Sequence, residues 1–157
     1  MLGPTGVLAR PNIAVVKVVL GSDERSELTE EVARDLRDRG HEVELVGPPG
    51  GQDIQWAEVG RTVGEAVATG RAATGVLFCW TGTGASIAAN KVAGARAALC
   101  TDKGTAEGAR KWNDANVLVM SLRLTTPTVA GEMLDAWFGT EPDSSEAENI
   151  ARLEPVD

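Results

Sequence analysis

A single cysteine, Cys79, ends the apolar run Val76, Leu77, Phe78 and is followed by Trp80 and then by Thr81, Gly82, Thr83 and Gly84. An apolar run of the kind buried on both faces, a loop of small polar residues and a helix pattern from about Ala85 are what a parallel sheet uses to bring a side chain to its carboxyl edge. A thiol, several backbone N–H groups and a helix N-terminus then converge. Such a spot holds an anion or oxyanion, and a thiolate there serves as base or nucleophile. The competing reading of Cys79 is a small inert core residue, and a Thr/Gly loop alone is common among α/β turns.

Other chemistries find little support. His41 is the only histidine; at the start of a strand it reads as a surface or hinge residue, so triads that need histidine are ruled out. No Cys/His cluster exists and the acids are scattered over helix faces, so no metal site is expected, and no cofactor. The turn GSDERSE after the first strand lacks the glycine pattern of nucleotide binders. A formal net charge of −8 and a pI near 4.7 oppose a nucleic-acid surface. No apolar run approaches the ~18 residues of a membrane span. Cys79 and Cys100 both follow apolar strand-like runs, which reads as two reduced thiols of a cytoplasmic protein.

The elements that must position Cys79 follow from periodicity. The chain of 157 residues suffices for one domain that buries roughly 70% of its unfolded surface. Residues 1–12 read as a flexible leader, 13–140 as the domain and 141–157 as an acidic tail with a short helix capped by Ser144 or Ser145. Ile13 to Leu20 is a β-branched run, with Ser22 and Asp23 opening a helix that carries Leu28, Val32 and Leu36 as far as Gly40. His41 to Val46 is a second strand, and Trp56, Val59, Val63 and Val67 mark a second helix. The Cys79 strand and its helix to about Val92 come next. A strand from Arg96 to Cys100, a helix from Thr105 to Trp112, a strand from Asn116 to Ser121 and a helix from Pro127 to Phe138 complete the pattern. Five strands alternating with helices predict a Rossmann-like α/β/α sandwich on a five-stranded parallel sheet.

The segments CWTGTGASIAANKVAGARAALC, WNDANVLVMSLR and GSDERSELTEEVARDLRDRGHEV together resemble the type B ribose-5-phosphate isomerases and the related galactose-6-phosphate isomerase subunits. The resemblance spans about Ile13 to Phe138. It implies a homodimer or dimer of dimers with active sites between subunits, and a metal-free aldose–ketose isomerisation through a cis-enediolate. By the same resemblance Cys79 is the base that takes the proton next to the carbonyl. Thr81, Gly82 and Gly84 belong to the loop that stabilises the enediolate. Asp23 contacts sugar hydroxyls, Asn113 lies near the reacting oxygens, and Arg123 belongs to the phosphate site.

Departures from the family pattern bear on the substrate. A family histidine after Asp23 is replaced by Glu24, and a ring-opening histidine by Trp112. Trp80 stands for a glycine and Trp56 for a tyrosine beside the sugar. Two phosphate-gripping arginines align with Glu146 and Ile150, and only a shifted register would bring in Arg152. Each charge-assisted hydrogen bond to phosphate is worth roughly 1.5–3 kcal/mol, so these losses forfeit several such contributions. The expected substrate is therefore a small sugar-like molecule other than an ordinary pentose 5-phosphate, with Trp56, Trp80 and Trp112 offering apolar faces. Glu24 takes over ring opening, or the substrate is already open. Arg123 has a plainer reading as the partner of a neighbouring acid, the three tryptophans as interface or core anchors, and Trp137 is expected in the core. The alternative for the whole chain is a non-catalytic relative that binds a ligand or partner as a dimer.

Overall fold

A computed structural model describes residues 14–156; the leader and Ile13 lie outside the described residues. The strands are β1 (Lys17–Ser22), β2 (Glu42–Val46), β3 (Thr74–Cys79), β4 (Ala97–Leu99) and β5 (Val117–Ser121). Between and after them run α1 (Glu27–Asp38), α2 (Trp56–Ala68), α3 (Thr83–Asn90), α4 (Lys103–Asn113), α5 (Pro127–Gly139) and α6 (Ala147–Ala151). All pairings are parallel, in the order β2-β1-β3-β5-β4.

Alternation along the strands builds the three layers. Val18, Leu20, Val76, Phe78, Leu118 and Met120 face a core closed by α1, α4 and α5. Their neighbours Val19, Leu77, Val117 and Val119 face the opposite core, closed by α2 and α3. Strands flanked on both faces need apolar residues at nearly every position, which is why β3 and β5 are buried throughout. Trp137 is buried as expected, its indole N–H donating to Thr74 Oγ1 at 2.9 Å.

The edge strand β4 is closed by a side chain. Asn90 accepts from the Ala97 N–H and donates to the Ala97 carbonyl, both at 2.8 Å. The outward-facing backbone of Ala97 is thereby occupied, which protects an edge from pairing with other strands.

Local signals corrected several expectations. Ser22 and Asp23 do not open α1; Ser22 belongs to β1, and the cap is Ser26, in a reciprocal box with Thr29. The final helix begins in a turn capped by Asp143, whose carboxylate accepts from the Ser145 N–H, rather than by Ser144 or Ser145. A side chain that accepts two residues ahead suffices there, and aspartate does it as well as serine. The fourth strand shortens to Ala97–Leu99, and the third helix starts two residues earlier than expected, at Thr83.

His41 is the largest correction. It is 4% exposed, accepts the Val16 N–H at Nδ1 (3.2 Å) and stacks on Phe138 at 4.3 Å between centroids. Burial, then the charge of Arg39, push its pKa below the ordinary 6.5. Because the folded value lies below the unfolded one, the unfolded chain binds the proton first as pH falls. Stability is therefore full above about 6.5 and is lost as pH falls from there toward the folded pKa, with a slope of at most about 1.4 kcal/mol per pH unit. His41→Gln keeps an acceptor for Val16 but does not titrate. Urea melts between pH 5 and 7 are expected to show this slope in the wild type and not in the variant; equal slopes contradict the assignment.

Candidate active site

Ser22 ends β1 and Cys79 ends β3, and these strands are neighbours where the strand order changes direction, β2 lying outward of β1 on the other side. Parallel sheets open a crevice at such a point, outside the carboxyl ends of the strands. A cleft of about 270 Å³ lies there. Asp23 flanks it from the β1 side and Cys79 from β3; Trp56 and Trp80 wall it, and Thr81, Thr83 and Gly84 complete it.

The loop after Cys79 is fastened to the end of β5. Leu122 N–H donates to the Cys79 carbonyl (3.0 Å), while Arg123 N–H and Ser121 Oγ both donate to the Trp80 carbonyl (3.1 and 3.0 Å). Gly82 then turns the chain with φ of 80°. That conformation favours glycine, and a Cβ there would also press on the end of the Leu99 side chain at 2.5 Å. Gly84 has another reason. A Cβ on it would meet the Trp56 ring at 2.8 Å, so the indole rests on the first turn of α3.

The helix N-terminus supplies donors. Gly82 caps α3 without a side-chain hydrogen bond, and the first backbone bond in the helix is from Ser86 N–H to the Gly82 carbonyl. The N–H groups of Thr83, Gly84 and Ala85 thus have no intrahelical acceptor. The early start of α3 adds the Ala85 N–H to the Thr81–Gly84 span. Thr81 Oγ1 and Thr83 Oγ1 share a hydrogen bond of 2.8 Å at the rim. Thr83 was legible only as a loop residue, because helix starts without a side-chain cap carry little sequence signal.

Asp23 Oδ1 is buried without a hydrogen-bond partner among the described residues. Burial raises its pKa, the nearby Glu24 charge adds to that, and its own backbone N–H opposes it. An acceptor left empty at the wall of a cleft suits a ligand hydroxyl. Glu24 is exposed and does not line the cleft; its backbone is tied to Ser22 Oγ. No lysine, arginine or histidine lines the cleft among the described residues. Arg123 sits beside it at the same sheet edge, exposed, with no side-chain partner among the described residues, so the reading as a structural ion pair fails. Arg152 is exposed and paired with Glu148 at 3.0 Å, and Glu146 accepts from Asn149.

Trp112 and Asn113 are elsewhere. They end α4, which returns the chain to the amino edge of the sheet, where Val117 pairs with Gly75. Cys79 pairs with Ser121 at the other edge, and the intervening strand length is about 13 Å at ~3.3 Å per residue. Within one chain, Asn113 and Cys79 do not meet. Trp112 and Asn113 instead line a groove of about 660 Å³ between α4 and the edge strand β4, with the Trp112 ring lying over Gly108. Spacing along the chain carries no sign of this, since the two positions sit in adjacent βα units.

Both cysteines are free and buried. Burial and the charge of Asp102 push the Cys100 thiol up to about 12, so it stays protonated near neutrality. Folded protein treated with iodoacetamide at pH 8 is expected to take one label, at Cys79, with Cys100 labelled only after unfolding. Equal labelling of both thiols in the folded state contradicts the cleft assignment.

Fold and cleft together define an α/β protein with a thiol and an N-terminal helix turn at the topological switch point. The model of the Ribose/Galactose Isomerase family matches residues 18–155, and the chain belongs to that family. It is 38% identical over 114 residues to ribose-5-phosphate isomerase B of Escherichia coli, covering 73% of this chain and 76% of that protein. It is 40% identical over 93 residues to a D-erythrulose-4-phosphate isomerase of Pectobacterium atrosepticum, covering 59% and 61%. Among solved structures, a ribose 5-phosphate isomerase from Thermotoga maritima superposes with a TM-score of 0.83 at 34% identity, covering 90% of this chain and 99% of that one. The type B enzyme of Clostridium thermocellum gives 0.81 at 37% identity, covering 87% and 94%. The expected sheet and layers are those of this family. No described helix is long and apolar enough to cross a membrane.

Proposed function

We propose that the protein is an aldose–ketose isomerase in which Cys79 is the base and the active site lies between two copies of the chain. The observation that carries this reading is the cleft that joins the Cys79 thiol, the unpartnered Asp23 oxygen and the free N–H groups of α3. The thiolate takes the C2 proton of an open-chain α-hydroxy aldehyde, and the C–H electron pair forms the C1–C2 double bond of an enediolate. The charge collects on O1, where preorganised N–H groups stabilise it. The thiol proton then returns to C1 while the hydroxyl proton passes from O2 to O1, giving the ketose. Asp23 holds a substrate hydroxyl throughout.

The second copy supplies what one chain lacks. A two-fold axis normal to the sheet beside β4 reverses strand direction, so the amino edge of one subunit comes level with the carboxyl edge of the other. That brings Trp112 and Asn113 of one copy toward Cys79 of its partner. Ile87 on α3 and Trp112 on α4 flank β4 and are 61% and 54% exposed, apolar surface of the kind such a contact covers.

The substrate is an atypical sugar, unphosphorylated or modified. The support is that no cationic side chain lines the cleft among the described residues, together with Glu24, Glu146 and Ile150 at positions where the resemblance implies a histidine and two arginines. Expected kinetics are a kcat/KM for ribose 5-phosphate far below the ordinary enzymatic floor of about 10⁴ M⁻¹s⁻¹. A neutral or amino sugar from a panel is expected to exceed it. Ordinary turnover of ribose 5-phosphate overturns the substrate assignment and leaves the isomerase reading in place.

A further inference from the structure

Asp114 is the only non-glycine residue with positive φ among the described residues, at 45°. It follows Asn113 directly and closes α4 in the left-handed conformation. Glycine is the usual residue at such a stop, because an L side chain there is disfavoured. The carboxylate is nevertheless used twice. Arg110 Nη1 donates to Asp114 Oδ1 at 3.1 Å and also reaches the Ala115 carbonyl. Arg96 Nε donates to the Asp114 carbonyl at 2.7 Å, and its Nη2 lies 3.4 Å from Oδ2.

Arg96 is itself held from two further sides. Its backbone N–H donates to Asn116 Oδ1 (2.7 Å), and Nη1 pairs with Glu154 of the C-terminal segment (3.4 Å). The same segment grips the last turn of α4 through the Asp143 N–H and the Lys111 carbonyl (2.8 Å). Arg96 and Arg110 side chains are only 20% and 17% exposed, so the pairs are shielded more than surface ion pairs are. Two arginines, Arg110 from α4 itself and Arg96 from the start of β4, thus meet on one left-handed residue beside Asn113, and Arg96 is in turn held by Asn116 and Glu154. The Asn113 side chain makes no hydrogen bond within the described residues and is exposed.

We infer that Asp114 is a positioning residue: clamped between Arg96 and Arg110, it fixes the backbone that presents Asn113 to the site of a partner subunit. The inference rests on the proposed role of Asn113 in a shared site. Strain kept by an over-determined local structure next to a working residue is the expected form of such a device.

Asp114→Gly removes the carboxylate while easing the turn, so a loss on that substitution does not come from strain. Asp114→Asn keeps an acceptor and tolerates the left-handed conformation. With the best substrate of the panel, Asp114→Gly is expected to lower kcat about tenfold or more, in line with the ~10²-fold that misplacement by 1 Å can cost, with KM little changed. Asp114→Asn is expected to restore most of the loss. In an Asn113→Ala background, Asp114→Gly is expected to add nothing, because both changes remove one contribution. Nitrogen-15 relaxation, which needs no turnover, is expected to show the Asn113 N–H order parameter falling in Asp114→Gly and holding in Asp114→Asn.

Additive losses in the double variant, or an unchanged order parameter at Asn113, overturn the inference. If Asn113→Ala alone leaves turnover intact, the shared-site role of Asn113 fails first and takes the inference with it. Thermal melts of each variant separate these results from simple unfolding.

Discussion

Mixing Cys79→Ala protein with Asn113→Ala protein is expected to restore about a quarter of wild-type turnover, although each variant alone is nearly inactive. The number follows from symmetry. Random exchange makes half the dimers mixed, and each mixed dimer has one site with both residues intact and one with neither. The geometry behind it is the separation of Cys79 and Asn113 at opposite edges of one sheet. Sites built within single chains predict no recovery on mixing. The test is an activity assay after dilution and reassociation of equimolar variants, with wild type carried through the same cycle.

Cys79→Ala is expected to lower kcat by roughly 10²–10⁴-fold, the usual contribution of a positioned base. KM is expected to change little, because the thiol acts on a proton at the transition state rather than on a binding group. Stability is expected to fall only modestly, since Cys79 contributes a small side chain to the α2–α3 core. Cys100→Ala serves as the control. It lies in the opposite core, on the α4–α5 side, with its thiol held protonated, so its loss is expected to affect melting and not rate. Equal rate effects of the two substitutions contradict a base at Cys79.

Much of the fold was legible because its signals are local and repeated. Alternation of Val18, Val19 and Leu20 between two cores, and glycines after α1 and α2, mark βα units without knowledge of the partners. Cys79 and its loop were legible for the same reason, since a strand end and a helix start lie within a few residues. His41 was misread because its neighbours in sequence are polar, while the residues that bury it, Val16 and Phe138, come from distant segments. That Asn113 lies a strand length from Cys79 within one chain was not legible. Direction along a parallel sheet decides that, and composition does not encode it. Asp114 escaped notice altogether: an aspartate after a helix reads as an ordinary turn until both arginines are placed.

The substrate reading follows from charge. Among the described residues no cationic side chain lines the cleft, Asp23 is raised in pKa by burial and Arg123 stands beside it, and the proposed unphosphorylated or modified substrate rests on that charge balance. Trp80 and Trp56 add apolar walls of the kind that suit the C–H face of the proposed sugar.

Solvent deuterium incorporation, followed by NMR over a panel of aldoses, ketoses, amino sugars and their phosphates, reports directly on proton transfer at Cys79. Deuterium is expected at the carbon next to the carbonyl of at least one unphosphorylated or modified sugar, in step with conversion and lost in Cys79→Ala. Isomerisation without any deuterium entering that carbon contradicts proton exchange at Cys79. An absence of exchange with every compound from folded protein contradicts the isomerase reading and favours a ligand-binding relative.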